Sequence, residues 1–133
     1  EAVQLLESRP VVVMGGTTPG HTTDAVAIRF AIAASANRCL IATNVAKVYS
    51  ADPRNNPNAN AFDKLTHDEL QDIVGPDKHT IAGGSSVVGP VGVGEANRAN
   101  MTLNILDGRE TNLIKAALEG NDFQGTIIFT ERV

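Results

Sequence analysis

Two short, unbroken apolar runs decide most of what this chain can become. Val11-Val12-Val13-Met14 is bounded by Pro10 and by Gly15-Gly16. Cys39-Leu40-Ile41-Ala42, closing at Thr43, is the second. Each is short, continuous and flanked by turn residues. Runs of that kind read as parallel strands buried on both faces. Between them, Thr22 to Ala36 is rich in Ala, with Val26, Ile28, Phe30, Ile32 and Ala33 as its apolar residues. It reads as a helix, with Thr22 or Thr23 as N-cap and Asp24 in the first turn. Strand, helix, strand is the repeating unit of a parallel sheet.

The remainder extends the pattern. Residues 44–60 are polar, with turns at Asp52-Pro53 and Asn56-Pro57. Thr66 precedes Glu69 by three, a capping box, and predicts a helix to about Val74 that Gly75-Pro76 stops. Residues 81–94 are too rich in Gly to assign. Met101 to Leu106 reads as a strand, Arg109 to Leu118 as a helix, and Gly125 to Phe129 as a last strand. The order predicts an α/β fold with a mainly parallel sheet. The 133 residues suit one domain over 1–133. Aromatic residues are 4% with no Trp, so the core must come from Val, Ile, Leu and Ala.

The net charge of −4 argues against a nucleic-acid or anionic-membrane partner, which would need clustered Lys and Arg. No run of about 18 apolar residues predicts a membrane span. Cys39 is the sole cysteine and makes no internal disulfide. It reads as a buried, inert thiol in a reducing cytoplasm rather than a nucleophile. The chain begins at Glu1 and already reads as mid-helix, so a processed or partial product is one expectation.

The densest chemical signal is Gly15-Gly16-Thr17-Thr18-Pro19-Gly20-His21-Thr22-Thr23-Asp24. It joins a strand to a helix N-terminus, where free N–H groups and the helix dipole suit a phosphate. Glycines admit a ligand close to the backbone, and the hydroxyls and imidazole can bond a base, sugar or phosphate. It is neither a P-loop nor GxGxxG. A plain capped strand-to-helix turn explains the same residues equally well. The second signal is Ala42-Thr43-Asn44-Val45 with Val48-Tyr49-Ser50-Ala51-Asp52-Pro53, just past the second run. Tyr49 offers a ring to a base and Asp52 an acceptor to a ribose or amine. An ordinary β-turn before Pro53 is the commoner outcome of such spacing.

These two motifs together resemble the archaeal type of UMP kinase, within the amino acid kinase superfamily. Phe62-Asp63-Lys64-Leu65, Ile105-Leu106-Asp107-Gly108 and Gly125-Thr126-Ile127-Ile128 extend the resemblance over nearly the whole chain. The resemblance implies a three-layer α/β/α sandwich, of which this chain is the C-terminal part. It implies phosphoryl transfer from ATP to UMP, giving UDP in pyrimidine nucleotide biosynthesis, with Mg2+ accompanying ATP. By the same resemblance, Gly16, Thr17, Thr18, Pro19, Gly20, His21, Thr22 and Thr23 match the UMP-binding segment. Thr43, Asn44, Tyr49 and Asp52 match positions that hold ATP. Asp24 matches the acidic group at the active centre, and no residue is assigned to a metal. A homo-oligomer in the cytoplasm is the implied setting.

The sequence departs from the family in three places. The family's first strand, Gly-Gly-Ser loop and lysine have no counterpart here, so a partner chain supplying that part is one expectation. Ala46-Lys47 stands where the family usually has Asp-Gly. Gly89 and Gly94 stand where it has Asp and Lys. Gly92 and Gly94 each cost a helix about 1 kcal/mol relative to Ala, which predicts a lost or frayed helix there. Two other readings therefore stand beside the UMP kinase: a non-catalytic nucleotide-binding module of the same fold, and a carboxylate kinase such as an acetylglutamate or aspartate kinase. His67 and His79 lack metal-ligand spacing. Lys78 and His79 read as a solvated loop, and Glu95, Arg98 and Arg109 as exposed helix residues.

Overall fold

The computed structural model of the protein describes residues 1–19, 22–74 and 88–131. Helices α1 (Ala2–Leu6) and α2 (Thr23–Ala33) lead to strand β1 (Arg38–Thr43). Three short strands follow, β2 (Val48–Tyr49), β3 (Ala61–Phe62) and β4 (Lys64–Thr66), then α3 (His67–Val74). The chain continues as α4 (Pro90–Ala99), β5 (Thr102–Asp107), α5 (Thr111–Leu118) and β6 (Thr126–Phe129). The main sheet has the order β1-β5-β6-β4, and β2 pairs with β3 apart from it. β1 with β5, and β4 with β6, are parallel; β5 and β6 are antiparallel. The fold is α/β with a mixed, mainly parallel sheet, as the order of elements predicts.

Alternation along each strand sorts the layers. Cys39 and Ile41 of β1, Leu103 and Ile105 of β5, Leu65 of β4 and Ile128 of β6 face one way. They form one aliphatic core with Ile28 of α2, Leu70 of α3, and Val93 and Ala96 of α4. The opposite face carries α5, which packs on β5 and β1.

Three expectations are corrected. Val11 to Met14 forms no strand: Val11 is 75% and Val13 91% exposed. The run has a strand's composition, but among the described residues no strand lies beside it. Without a ladder partner an extended segment gains neither hydrogen bonds nor burial. Second, the helix expected to fray is intact as α4. Pro90 sits in its first turn, and Asn100 closes it in a left-handed conformation. Gly92 is buried against α2, where a Cβ would lie 3.1 Å from Ile28 Cδ1 and 3.5 Å from the Ala25 backbone. Close helix contact thus offsets the propensity cost. Third, Arg109 precedes α5 and Glu95 bridges two helices, as described below.

The capping box forms in both directions. Thr66 Oγ1 accepts from the Glu69 N–H at 3.1 Å, and Glu69 Oε2 accepts from the Thr66 N–H at 2.7 Å. Thr66→Ala is expected to cost about 1 kcal/mol, a fall of about 3–5 °C in melting temperature. Thr66→Ser, which keeps the hydroxyl, is expected to melt with the wild type. Gly75-Pro76, the predicted stop, lies outside the described residues, as do Lys78 and His79.

Candidate functional site

α2 starts at Thr22, whose Oγ1 accepts from the Ala25 N–H at 3.2 Å. Its carbonyl takes the Val26 N–H. The N–H groups of Thr23 and Asp24 fall in the first turn, where the helix itself supplies no acceptor. Asp24 is half-buried, and its carboxylate accepts from the backbone N–H of Gly89. Gly89 is the N-cap of α4. Two helix N-termini therefore converge where Thr22, Asp24 and Gly89 meet. A Cβ at 89 would come within 3.7 Å of Thr22 Oγ1. Burial raises the Asp24 carboxyl above its ordinary value, and the Gly89 bond only partly opposes this.

The remaining loop residues are placed as follows. Thr17, Thr18 and Pro19 are exposed, Thr22 and Thr23 likewise. A Cβ at Gly15 or Gly16 would meet nothing within 4 Å, so nothing in the described structure demands glycine at either position. Gly20 and His21 lie outside the described residues. Cys39 is buried; burial, then the neighbouring Asp24 charge, pushes its thiol up to about 11. It stays protonated at neutral pH and is a poor nucleophile.

Thr43 ends β1, and its Oγ1 is 3.5 Å from Asn44 Oδ1. The neighbouring turn after β5 holds this segment. Gly108 donates to the Thr43 carbonyl at 2.8 Å, and Arg109 Nη2 donates to the Asn44 carbonyl at 3.2 Å. Arg109 also pairs with Asp107, and its hydrogen bonds hold that carboxyl at about 2. A Cβ at 108 would come 2.9 Å from Ala42 Cβ, so glycine is what allows the approach. The Asp-Gly-Arg run after a buried strand was the available sequence signal for this clamp.

Tyr49, half-buried, lies on β2 opposite Ala61. Thr126 ties that pair to the main sheet: its Oγ1 accepts from Val48 N–H at 2.9 Å and donates to the Phe62 carbonyl at 2.6 Å. Lys47, where the family usually has Gly, pairs with Asp63. Asp52 Oδ1 accepts from the Arg54 N–H and Nε, and its Oδ2 from Arg54 Nη2. These bonds lower its carboxyl below the ordinary range. Asp52 thus organises its own turn, with its side chain largely covered. Among the described residues no hydrogen bond joins the Gly16–Asp24 segment to Thr43–Asp52.

Arg29 Nε donates to both Glu95 carboxylate oxygens, at 2.8 and 2.7 Å, and Nη2 donates to Oε1, an ion pair that fastens α4 to α2. His67 is buried, with Nε2 2.7 Å from the Met101 carbonyl and Nδ1 3.2 Å from Thr130 Oγ1. It is a packed structural histidine. No helix is long and apolar enough to cross a membrane, and no three metal-ligating side chains gather to hold an ion, among the described residues.

Fold and site together define an α/β protein in which two helix N-termini meet at Thr22, Asp24 and Gly89. The model of the amino acid kinase family matches residues 1–107, and the chain belongs to that family. It is 39% identical over 128 residues to a uridylate kinase of Methanospirillum hungatei, covering 96% of this chain and 54% of that protein. It is 40% identical to a uridylate kinase of Methanococcus vannielii, covering 96% and 56%. The crystal structure of uridylate kinase from Archaeoglobus fulgidus superposes with a TM-score of 0.79 at 36% identity, over 96% of this chain and 56% of that one. The chain spans about half the length of the curated relatives it matches.

Proposed function

We propose that the chain carries the nucleotide-holding part of a UMP kinase, which transfers a phosphoryl group from ATP to UMP. The observation that carries this reading is the meeting of two helix N-termini at Thr22, Asp24 and Gly89. Phosphoryl transfer needs oriented donors and a neutralised phosphate more than covalent chemistry. In this reading Gly16 to Thr23 holds UMP, with Gly20 and His21 among its residues. The first-turn N–H groups of Thr23 and Asp24 take the phosphate. Thr43, Asn44, Tyr49 and Asp52 hold ATP on the clamp built by Gly108 and Arg109. Asp24 stands between the two nucleotides and orients cations toward the transferred group. Mg2+ enters this reading with the phosphates of ATP.

The second reading, nucleotide binding without turnover, rests on the exposed Val11–Met14 run. We infer that this run docks on further chain of the same fold, covalent or from a partner, which completes the catalytic site. A homo-oligomer working in the cytoplasm, in pyrimidine nucleotide synthesis, is the setting we propose.

Titration calorimetry on the 133-residue chain, with a UDP-formation assay alongside, tests both readings. UMP is expected to bind, and turnover to be slow or absent. Tyr49→Ala and Asp52→Ala are each expected to weaken ATP by about 1–3 kcal/mol and leave UMP nearly unchanged. Equal losses for both nucleotides would refute the division of the site. Binding of acetylglutamate or aspartate in place of UMP would move the assignment to a carboxylate kinase.

A further inference from the structure

The sheet face away from α2 and α4 carries Arg38, Asn104, Ile127 and Lys64 in neighbouring registers. With Ala117 of α5 and the connection from Gly120 to Gly125, they wall a cavity of about 450 Å³. Small-molecule sites run about 300–1,000 Å³. The residues proposed above to hold UMP and ATP do not line it.

Asn104 is the unusual residue here. It sits in the middle of the central strand β5 and is 5% exposed. Its side-chain amide makes no hydrogen bond among the described residues, yet neither amide atom is sealed off. An apolar residue would fill a mid-sheet position without that unmet need. The amide is therefore presented to the cavity as one donor group beside one acceptor. Phe123 forms part of the wall. It is seated there because Gly125 has no side chain: a Cβ would lie 2.6 Å from its ring. Two cations, Arg38 on β1 and Lys64 on β4, share the lining with the acids Asp63 and Asp122. Arg38 uses one Nη2 donor on the Leu118 carbonyl at 3.0 Å and keeps the rest of its fork. Lys64 makes no ion pair among the described residues. Asp122, also in the wall, is an exposed acceptor.

We propose that this cavity is a second nucleotide site, separate from the one at the helix junction, and that it takes an adenine mononucleotide. The Asn104 amide matches the adjacent donor and acceptor on an adenine edge, a bidentate pairing that needs no charge. Phe123 packs on the base. Lys64 receives the phosphate, and Asp122 accepts from the ribose hydroxyls. The assignment does not depend on what the helix junction binds.

AMP titrated into the 15N-labelled chain, followed by NMR, tests it residue by residue. The Asn104 side-chain NH2 and the backbone amides of residues 120–125 are expected to shift and saturate. Asn104→Leu, close in volume, is expected to weaken this titration at least about tenfold. Lys64→Glu, a surface change that leaves the core alone, is expected to weaken it about fivefold or more. Tyr49→Ala is expected to leave it within about twofold. Absence of any shift at Asn104 in millimolar AMP would overturn the proposal, and would leave the helix-junction reading untouched. So would shifts that persist in both Asn104→Leu and Lys64→Glu, or shifts lost in Tyr49→Ala, which would put the nucleotide elsewhere.

Discussion

Gly125→Val is expected to deprive the isolated chain of its native fold, at a cost of at least about 3 kcal/mol. A Cβ built at 125 would lie 2.2 Å from the Ile105 carbonyl oxygen and 2.6 Å from the Phe123 ring. The ring can swing away, but the carbonyl cannot. It belongs to β5, which is held between β1 and β6. Relief therefore requires β6 to leave the sheet. That exposes Ile128, fully buried in the core, worth about 2–3 kcal/mol by itself. It also breaks the Thr126 bonds to Val48 and Phe62. β4, whose main-sheet neighbour is β6, loses its place as well. Gly125→Ala should act in the same direction, because the clash begins at Cβ. Gly16→Ala, which meets nothing within 4 Å, is the control and should be neutral within about 0.5 kcal/mol. Thermal melts of the three variants decide the matter. A cooperative Gly125→Ala melt within about 2 °C of wild type would sink the argument.

Such a clash is invisible in sequence, and that marks the boundary of what the residues disclose. The capping box at Thr66 and Glu69 was legible because both partners lie within one turn. α2, β1, β5, α5 and β6 were legible because each carries an apolar run bounded by cap or turn residues. β2, β3 and β4 were not: at two or three residues they are too short to show a period. α4 was misread because Gly92 and Gly94 lower propensity, while its stability comes from contact with Ala25 and Ile28. Val11 to Met14 failed for the complementary reason. A run of valines states a tendency, but a strand needs a neighbour. At the site, Thr22 and Asp24 could be read as a cap and a first-turn charge. Their meeting with Gly89 could not, because tertiary packing brings α4 to α2. Nor could the Arg54 contacts of Asp52, in which the turn competes with any ribose for the same carboxylate.

Asp24→Asn separates structure from chemistry at that junction. Helix dipoles favour a negative charge there, typically by about 0.3–1 kcal/mol each. Burial opposes it, and the raised carboxyl shows that burial wins. The sign of the pH effect follows. A carboxyl whose folded value lies above its unfolded value stabilises the fold while protonated. That stability is lost as pH rises from the ordinary value of 3.8 through the raised one. At neutral pH the ionised Asp24 therefore weakens the fold. Asparagine keeps an oxygen for the Gly89 N–H and removes the charge. Asp24→Asn should melt at or above the wild-type temperature at pH 7, the gain closing as pH falls below about 4. A charge retained against its own burial is the kind an active centre requires. Turnover is best measured with the chain joined to the part of the Archaeoglobus fulgidus relative that it does not span. There, Asp24→Asn is expected to slow UMP phosphorylation at least about a hundredfold, near 2.7 kcal/mol of barrier. If instead the variant melts lower and the folded enzyme keeps its rate, Asp24 serves only as a first-turn charge, and the phosphoryl group must be governed from elsewhere.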